Sequence, residues 1–308
     1  MSRISIKKRL PKYHKIYEQI FENPSVPLYQ ITKNTGISRS TVSRYVIEMY
    51  ELSIIKGPMI FVKPAQNYHQ YAAFLDFEHS LPTYKRFKGF PNVMHRSLSS
   101  GNWNILLICE KFMNFSMLKG FRHCIYQGTK GVTHLSRVTS LDWDNSMKKM
   151  WSALSPPREK STLYEEIPFI PWKREEWALY YRFRHNIRAQ VMPILKECRV
   201  RFERYQKWVT ELPHVANIHA AFYPHGLDNY FILDFLFQSE YHKQLADILG
   251  MLPSTSIFFS TGEYLLARVS LLNKKEKDDL FSLIFQLEAE GYFTQCYQTM
   301  VVSTSGGG

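Results

Sequence analysis

Met59-Ile60-Phe61-Val62-Lys63-Pro64, followed by Tyr71-Ala72-Ala73-Phe74-Leu75-Asp76-Phe77, has a second version near the C-terminus. That version is His219-Ala220-Ala221-Phe222-Tyr223-Pro224, followed by Tyr230-Phe231-Ile232-Leu233-Asp234-Phe235. The two prolines are 160 residues apart, and Asp76 and Asp234 are 158 apart. Downstream, Ser100-Gly101-Asn102-Trp103 matches Thr261-Gly262-Glu263-Tyr264 at an offset of 161. Upstream, the stretch from Ile37 to Tyr45 falls opposite the stretch from Val200 to Trp208. Matches that keep their order and spacing imply a tandem duplication of one unit of roughly 150 residues.

A chain of 308 residues with 45% hydrophobic content can bury substantial cores. No stretch approaches the ~20 apolar residues of a bilayer crossing. No apolar signal core follows the basic start of the chain, so a cytoplasmic location without membrane contact is expected. Cys109, Cys124, Cys198 and Cys296 have no paired spacing, which argues against a disulfide framework and a structural zinc site. The end, Ser303-Thr304-Ser305-Gly306-Gly307-Gly308, reads as a flexible tail. The net charge of +12 is unevenly spread. Residues 1–64 hold eleven Lys and Arg against four acids, and residues 173–207 hold ten against four. Charge gathered in two matching segments reads as two surfaces facing a polyanion.

The first basic segment carries a helix over residues 12–22, ended by Asn23-Pro24, and a second over residues 28–34. Gly36 then supplies a turn, and Ser38 caps a helix over residues 39–51 that buries Val42, Tyr45, Val46 and Met49. Short helix, Gly-Ile-Ser, then Arg-Ser-Thr-Val-Ser-Arg is a helix-turn-helix pattern. Ser38, Arg39, Ser40, Thr41, Ser43 and Arg44 offer hydroxyls and guanidiniums suited to DNA contacts. Lys7, Lys8, Arg9, Lys33 and Lys56 would hold phosphates. Residues 54–62 read as a two-stranded wing. Beyond it, the pattern predicts a strand (71–77), a helix (81–87), a hairpin (93–98 and 103–109), a helix (114–127) and a strand (132–141). That order is βαββαβ, a sheet with two helices on one face. The opposite, unpartnered face is read as Ala73, Leu75 and Phe77.

The second half follows the same plan. Helices are expected over residues 172–185, from about residue 190, and over 202–212. Arg199 stands where the first copy has its turn glycine, and the short hydroxyls are gone. This second helix-turn-helix is either a degenerate structural copy or one that clamps phosphates through Arg201, Arg204 and Lys207. A strand (230–237), a helix from Ser239 to residue 249, a hairpin (256–260 and 264–271), a helix (275–290) and a strand (293–302) complete it. The expected fold class is α+β, with winged helix-turn-helix and ferredoxin-like βαββαβ domains duplicated in tandem. The boundaries are 1–64, 65–150, a linker at 151–171, 172–224 and 225–304.

A helix-turn-helix with a wing, then a βαββαβ sheet whose hairpin carries Gly before an aromatic, resembles the Lrp/AsnC (feast/famine) regulators. Leu252-Pro253 through Thr261-Gly262-Glu263-Tyr264 to the last strand is the best single match. The resemblance implies DNA binding, pairing of the βαββαβ domains, and a small-molecule effector where they meet. Ser100, Gly101, Thr261 and Gly262 are the candidate effector loops. Family members usually carry one copy per chain, and here there are two. The same units also resemble the siroheme decarboxylases, in which Val93-Met94-His95-Arg96 would present a catalytic or tetrapyrrole-facing histidine; His134 is a second lone histidine on a strand. The leading expectation is a transcriptional regulator that binds double-stranded DNA as a homodimer or higher homo-oligomer. It has no catalytic residues, cofactor or metal ligands, and is not an enzyme. The alternative is an enzyme of the siroheme-decarboxylase type.

Overall fold

The computed structural model describes residues 3–155, 159–163 and 166–306, and the side chains of those between 8 and 305. The first half forms α1 (Arg3–Glu22), α2 (Leu28–Thr35), α3 (Arg39–Glu51), β1 (Ile55–Val62), β2 (Gln70–Phe77) and α4 (Ser80–Arg86). It continues through β3 (Val93–Gly101), β4 (Ile105–Cys109), β5 (Phe121–Lys130), β6 (His134–Leu135) and α5 (Trp143–Ser152). The second half forms α6 (Arg174–Phe183), α7 (Val191–Cys198), α8 (Phe202–Val215), β7 (Ala216–Phe222) and β8 (Phe231–Gln238). It ends with α9 (His242–Leu249), β9 (Ile257–Thr261), β10 (Tyr264–Leu271), α10 (Lys274–Ala289) and β11 (Gln295–Gly306).

Eight strands form a closed antiparallel ring in the order β10, β8, β11, β3, β4, β2, β5, β9, with β9 pairing back onto β10. β6 pairs with β9 outside the ring. This corrects the expected fold class. The halves do not form independent ferredoxin-like sheets beside winged helix-turn-helix domains; their strands share one barrel. The reason is edge satisfaction: an open sheet leaves unpaired N–H and C=O groups along its edge strands, and closure pairs them. The two seams between the halves are unequal. Along one, β11 pairs with β3 from Thr299↔Gly101 to Gly306↔His95. Along the other, β5 meets β9 at Lys130↔Thr261, and Gly131 N–H donates to Ser260 O at 2.7 Å.

The strand period divides the core cleanly. Ala72, Phe74, Leu106, Ile108, Leu236 and Leu266 point into the barrel around buried Trp103. Their neighbours Ala73, Leu75, Phe77, Ile105 and Leu107 point out, under Tyr84 and Phe87 of the α4 region. Phe235, Phe237, Leu265 and Ala267 do the same under α9, α10 and α5. The face expected to lack a partner, Ala73, Leu75 and Phe77, is therefore the covered outer face.

Several expected elements differ. Residues 114–127 include no helix, and the second half of that span becomes β5; only His134–Leu135 is strand within 132–141. The wing is a single strand, β1, which pairs with β7 of the other half. Ser239 accepts from Tyr241 N–H at 2.8 Å, yet α9 starts at His242 with Tyr241 at the cap position. The expected flexible tail is β-strand through Gly306, and Ser303 Oγ lies 3.1 Å from Tyr84 Oη; Gly307 and Gly308 lie outside the described residues. Within the expected linker, Ile170 is buried and Asn67 holds its N–H and C=O at 3.0 and 2.9 Å; Pro156–Arg158 and Tyr164–Glu165 lie outside the described residues.

The helices pack on the β1–β7 ribbon from two sides. α1, α2 and α3 bury Tyr17, Ile31 and Val42 with Ala220 and Phe222 of β7. α6, α7 and α8 bury Leu179, Phe183 and Trp208 with Ile60 and Val62 of β1. This crossing brings α6 against the barrel, where it closes a cavity.

Candidate active site

Two charged residues interrupt otherwise apolar inward-facing rows. Asp234 on β8 is fully buried, and Arg268 lies directly opposite it on β10. Arg268 donates from Nε and Nη2 to Oδ1 and Oδ2 of Asp234, both at 2.7 Å. A bidentate pair of this kind holds the guanidinium plane in one orientation. Nη2 also donates to Ser97 Oγ at 3.1 Å, and Ser97 Oγ lies 3.0 Å from His95 Nε2. Arginine can only donate, so Ser97 accepts from it and its own proton is left for Nε2. This favours the tautomer of His95 with its proton on Nδ1.

His95, Arg268 and Lys130 line a partly open cavity of roughly 240 Å³. Leu106 and Ile108 of β4, Phe259 of β9 and Leu266 of β10 form its apolar walls. Met59, Ile60 and Phe61 of β1 face them, and Tyr180, Arg184 and His185 come from α6 and its C-terminal end. Among the described residues the lining thus holds two guanidiniums, one amine and two imidazoles, and no Asp or Glu.

The electrostatics follow from crowding cations together away from water. Burial first, then Arg268, His185, Arg184 and Lys130, push the His95 pKa down to about 3, so its imidazole is neutral. Lys130 is 6% exposed, and burial lowers its pKa to about 7. Its Nζ donates to Gly131 O at 3.0 Å and lies 5.0 Å from the centre of the Phe259 ring. Burial and the Arg184 charge lower the pKa of His185, whose Nε2 accepts from Arg184 Nε at 3.1 Å. An arrangement of this kind is suited to capturing anionic groups on a largely apolar molecule.

The residues expected to touch DNA lie elsewhere. Arg39, Ser40 and Arg44 are exposed, with Arg44 stacked 5.3 Å over the Tyr45 ring, and Ser43 and Thr41 are half-buried. Ser38 caps α3 by accepting from Thr41 N–H at 3.4 Å. Lys8 and Lys33 are exposed, Lys56 donates to Ser53 Oγ at 3.0 Å, and Arg9 pairs with Glu48 at 2.6 Å; the Lys7 side chain lies outside the described residues. In the second half Arg201 is exposed, Arg204 is tied to Glu175 and Glu176, and Lys207 lies 3.7 Å from Glu211. The four expected effector residues sit at the barrel seams instead of in one pocket. Ser100 and Gly101 are on the β11–β3 seam, while Thr261 faces Lys130 beside Gly262 on the β5–β9 seam. His134 lies on β6, away from His95 on β3.

Sequence reasoning singled out His95 but missed Arg268, Lys130 and Arg184. A signal was present for Arg268. It is a lone cation in Leu265-Leu266-Ala267-Arg268-Val269, as Asp234 is a lone acid in Ile232-Leu233-Asp234-Phe235. Opposite charges alone in two apolar strands ask for each other when the strands pair.

No family model and no curated protein matches the chain. Among solved structures it is similar to the siroheme decarboxylase NirDL, with 13% identity over 95% of this chain and 91% of that one, and a TM-score of 0.48. The co-complex of NirDL with an iron-uroporphyrin III analogue aligns with 12% identity over 94% and 90%, at a TM-score of 0.47. Regulators of the Lrp/AsnC family are not named among these findings. The expectations of a non-enzyme, of DNA binding and transcription regulation, and of duplex DNA as partner are corrected accordingly. Neither similar structure is a DNA-binding regulator by name, and in this chain the buried amine of Lys130 lines the partly open cavity and not α3. No helix of the described residues is long and apolar enough to cross a membrane.

Proposed function

We propose that the protein is an enzyme of the siroheme-decarboxylase type, which takes the carboxylate-bearing edge of a tetrapyrrole into this cavity and replaces a carboxylate by a proton. The observation that carries the reading is the lining: the buried amine of Lys130 beside His95 and the Asp234-held guanidinium of Arg268, set among apolar walls. A buried ammonium is costly unless an anion meets it, and among the described residues Lys130 bonds only the Gly131 carbonyl, so this lining is complementary to a carboxylate. At roughly 240 Å³ the cavity is smaller than a pocket that swallows a whole drug-sized ligand, about 300–1,000 Å³, and it accepts an edge of a larger ring system. The four cysteines are all unpaired, in keeping with a cytosolic setting.

The chemistry divides among the residues. Decarboxylation breaks the bond between a side-chain carbon and its carboxylate. Carbon dioxide leaves, the electron pair stays on carbon, and a proton fills its place. Arg268, fixed by Asp234, and Arg184 orient the substrate's carboxylates. Leu106, Ile108 and Phe259 strip water from the group that leaves, which favours the neutral product over the charged reactant. His95 is neutral in the empty cavity; an incoming carboxylate raises its pKa and loads it with the proton it then delivers.

The test uses a carboxylated iron porphyrin and reads product by mass spectrometry, with binding followed by the porphyrin absorbance. His95→Gln is expected to slow decarboxylation by roughly 10²–10⁴-fold while binding stays within a few-fold. Undiminished turnover in this variant would remove His95 from the mechanism, and absence of turnover by the unmodified protein would remove the reading.

A further inference from the structure

A second cavity, of roughly 620 Å³, adjoins the first and is lined largely by aromatic rings. Tyr68 forms the partition: Gln70 Nε2 donates to its hydroxyl at 3.0 Å, and the hydroxyl lies 3.4 Å from Met94 Sδ, both residues of the first cavity. Tyr68, Tyr71, Phe112, Trp177 and Tyr181 supply the rings of the second cavity, His69 and Lys111 also line it, and Arg184 lies 5.7 Å over the Tyr181 ring. Tyr68 and Trp177 rings lie 4.8 Å apart, Trp177 and Tyr181 6.1 Å, and Tyr71 and Phe112 5.7 Å. Phe112 is 63% exposed and Tyr181 42%, a cost in water that an occupant would relieve.

Between these rings stands one carboxylate, Glu110. Its Oε1 accepts from Tyr181 Oη at 2.6 Å and from Tyr68 Oη at 3.2 Å. Both phenols use the same oxygen, and Oε2 has no hydrogen-bond partner among the described residues. No Lys, Arg or His of the described residues pairs with Glu110, although the chain carries a net charge of +12. Lys111, next in sequence, lines the cavity but is exposed to water and makes no ion pair with Glu110 among the described residues. A carboxylate held in place by two phenols, with no ion pair among the described residues and aromatic faces around it, is complementary to a weakly hydrated organic cation. Ring faces attract such a cation through their quadrupoles, and the carboxylate supplies the countercharge.

We propose that this cleft binds a quaternary or N-methylated ammonium group, independently of the decarboxylase reading. The test is calorimetry with choline and with its uncharged carbon isostere, in which a tert-butyl group replaces the trimethylammonium head. Choline is expected to bind at least about tenfold more tightly than the isostere. Glu110→Gln should erase that preference, and Trp177→Leu should weaken choline about tenfold. Arg268→Lys, in the neighbouring cavity, should leave choline binding unchanged. Equal affinity of the two probes, or no binding of either, would overturn the proposal on the unmodified protein alone. So would a Glu110→Gln variant that melts normally and keeps the preference.

Discussion

Gly36 and Arg199 occupy the same turn in the two halves, and both adopt left-handed backbone, with φ of 68° and 56°. Nothing lies within 4 Å of a Cβ added at Gly36, so the position demands a conformation and not empty space. Arg199 therefore carries strain that glycine would not, and its exposed side chain gives little back. Arg199→Gly should stabilise the fold by about 0.5–1 kcal/mol and Gly36→Ala should destabilise it by a similar amount, measured by urea unfolding. Lys130 makes a prediction in pH. Its folded pKa of about 7 lies below its ordinary value of 10.5, so between those limits the unfolded chain binds the extra proton. Stability from this group is lowest below pH 7 and rises toward 10.5, by up to about 1.4 kcal/mol per pH unit. Lys130→Met should flatten that part of the stability–pH curve; an unchanged slope would show that the amine is hydrated. Single-residue roles of this local kind were legible where the signal is local. Ser38 reads as a cap from its neighbours alone, whereas the partners of His95 come from strands far away in sequence.

At the scale of elements, most helices and strands follow from periodicity, and the failures have a physical source. In Phe121-Arg122-His123-Cys124-Ile125, apolar residues fall at i, i+3 and i+4, which imitates a helix. The strand β5 runs there instead, paired with β2 in a register that slips twice, between Phe74 and Leu75 and between Asp76 and Phe77. Each slip shifts the alternation that would otherwise announce a strand. The last strand was cut short for a related reason: Ser, Thr and Gly look like a tail until β3 is there to pair with them. That seam rests on Gly101, where an added Cβ would stand 2.5 Å from Gln298 O and 2.6 Å from Thr299 Cα. Gly101→Ala should force β11 off β3 at a cost of about 1–3 kcal/mol, with faster hydrogen exchange at Ser97 and Leu98. Normal melting and exchange in this variant would mean that the seam is looser than described.

At the scale of the molecule, the repeat was visible in the sequence but the way its copies join was not. Whether two sheets stack by faces or close by edges depends on strand ends, and patterning says little about those. The basic second segment was read as a surface for a polyanion, yet much of it is spent internally. Arg188 Nη1 donates to Pro24 and Val26 carbonyls at 3.1 and 2.8 Å, tying the two halves together, and Arg204 pairs with Glu176. Arg184 of the same segment lines the cavity. The central claim is that this cavity recognises carboxylates on a tetrapyrrole edge. It is tested most directly by absorbance titration of the protein with uroporphyrin III and with its fully esterified form. The free acid is expected to bind at least tenfold more tightly than the ester, and Arg268→Ala should remove most of that difference. Its binding should also weaken as pH rises past about 7, where Lys130 loses its proton. Equal binding of acid and ester, or none of either, would contradict the account.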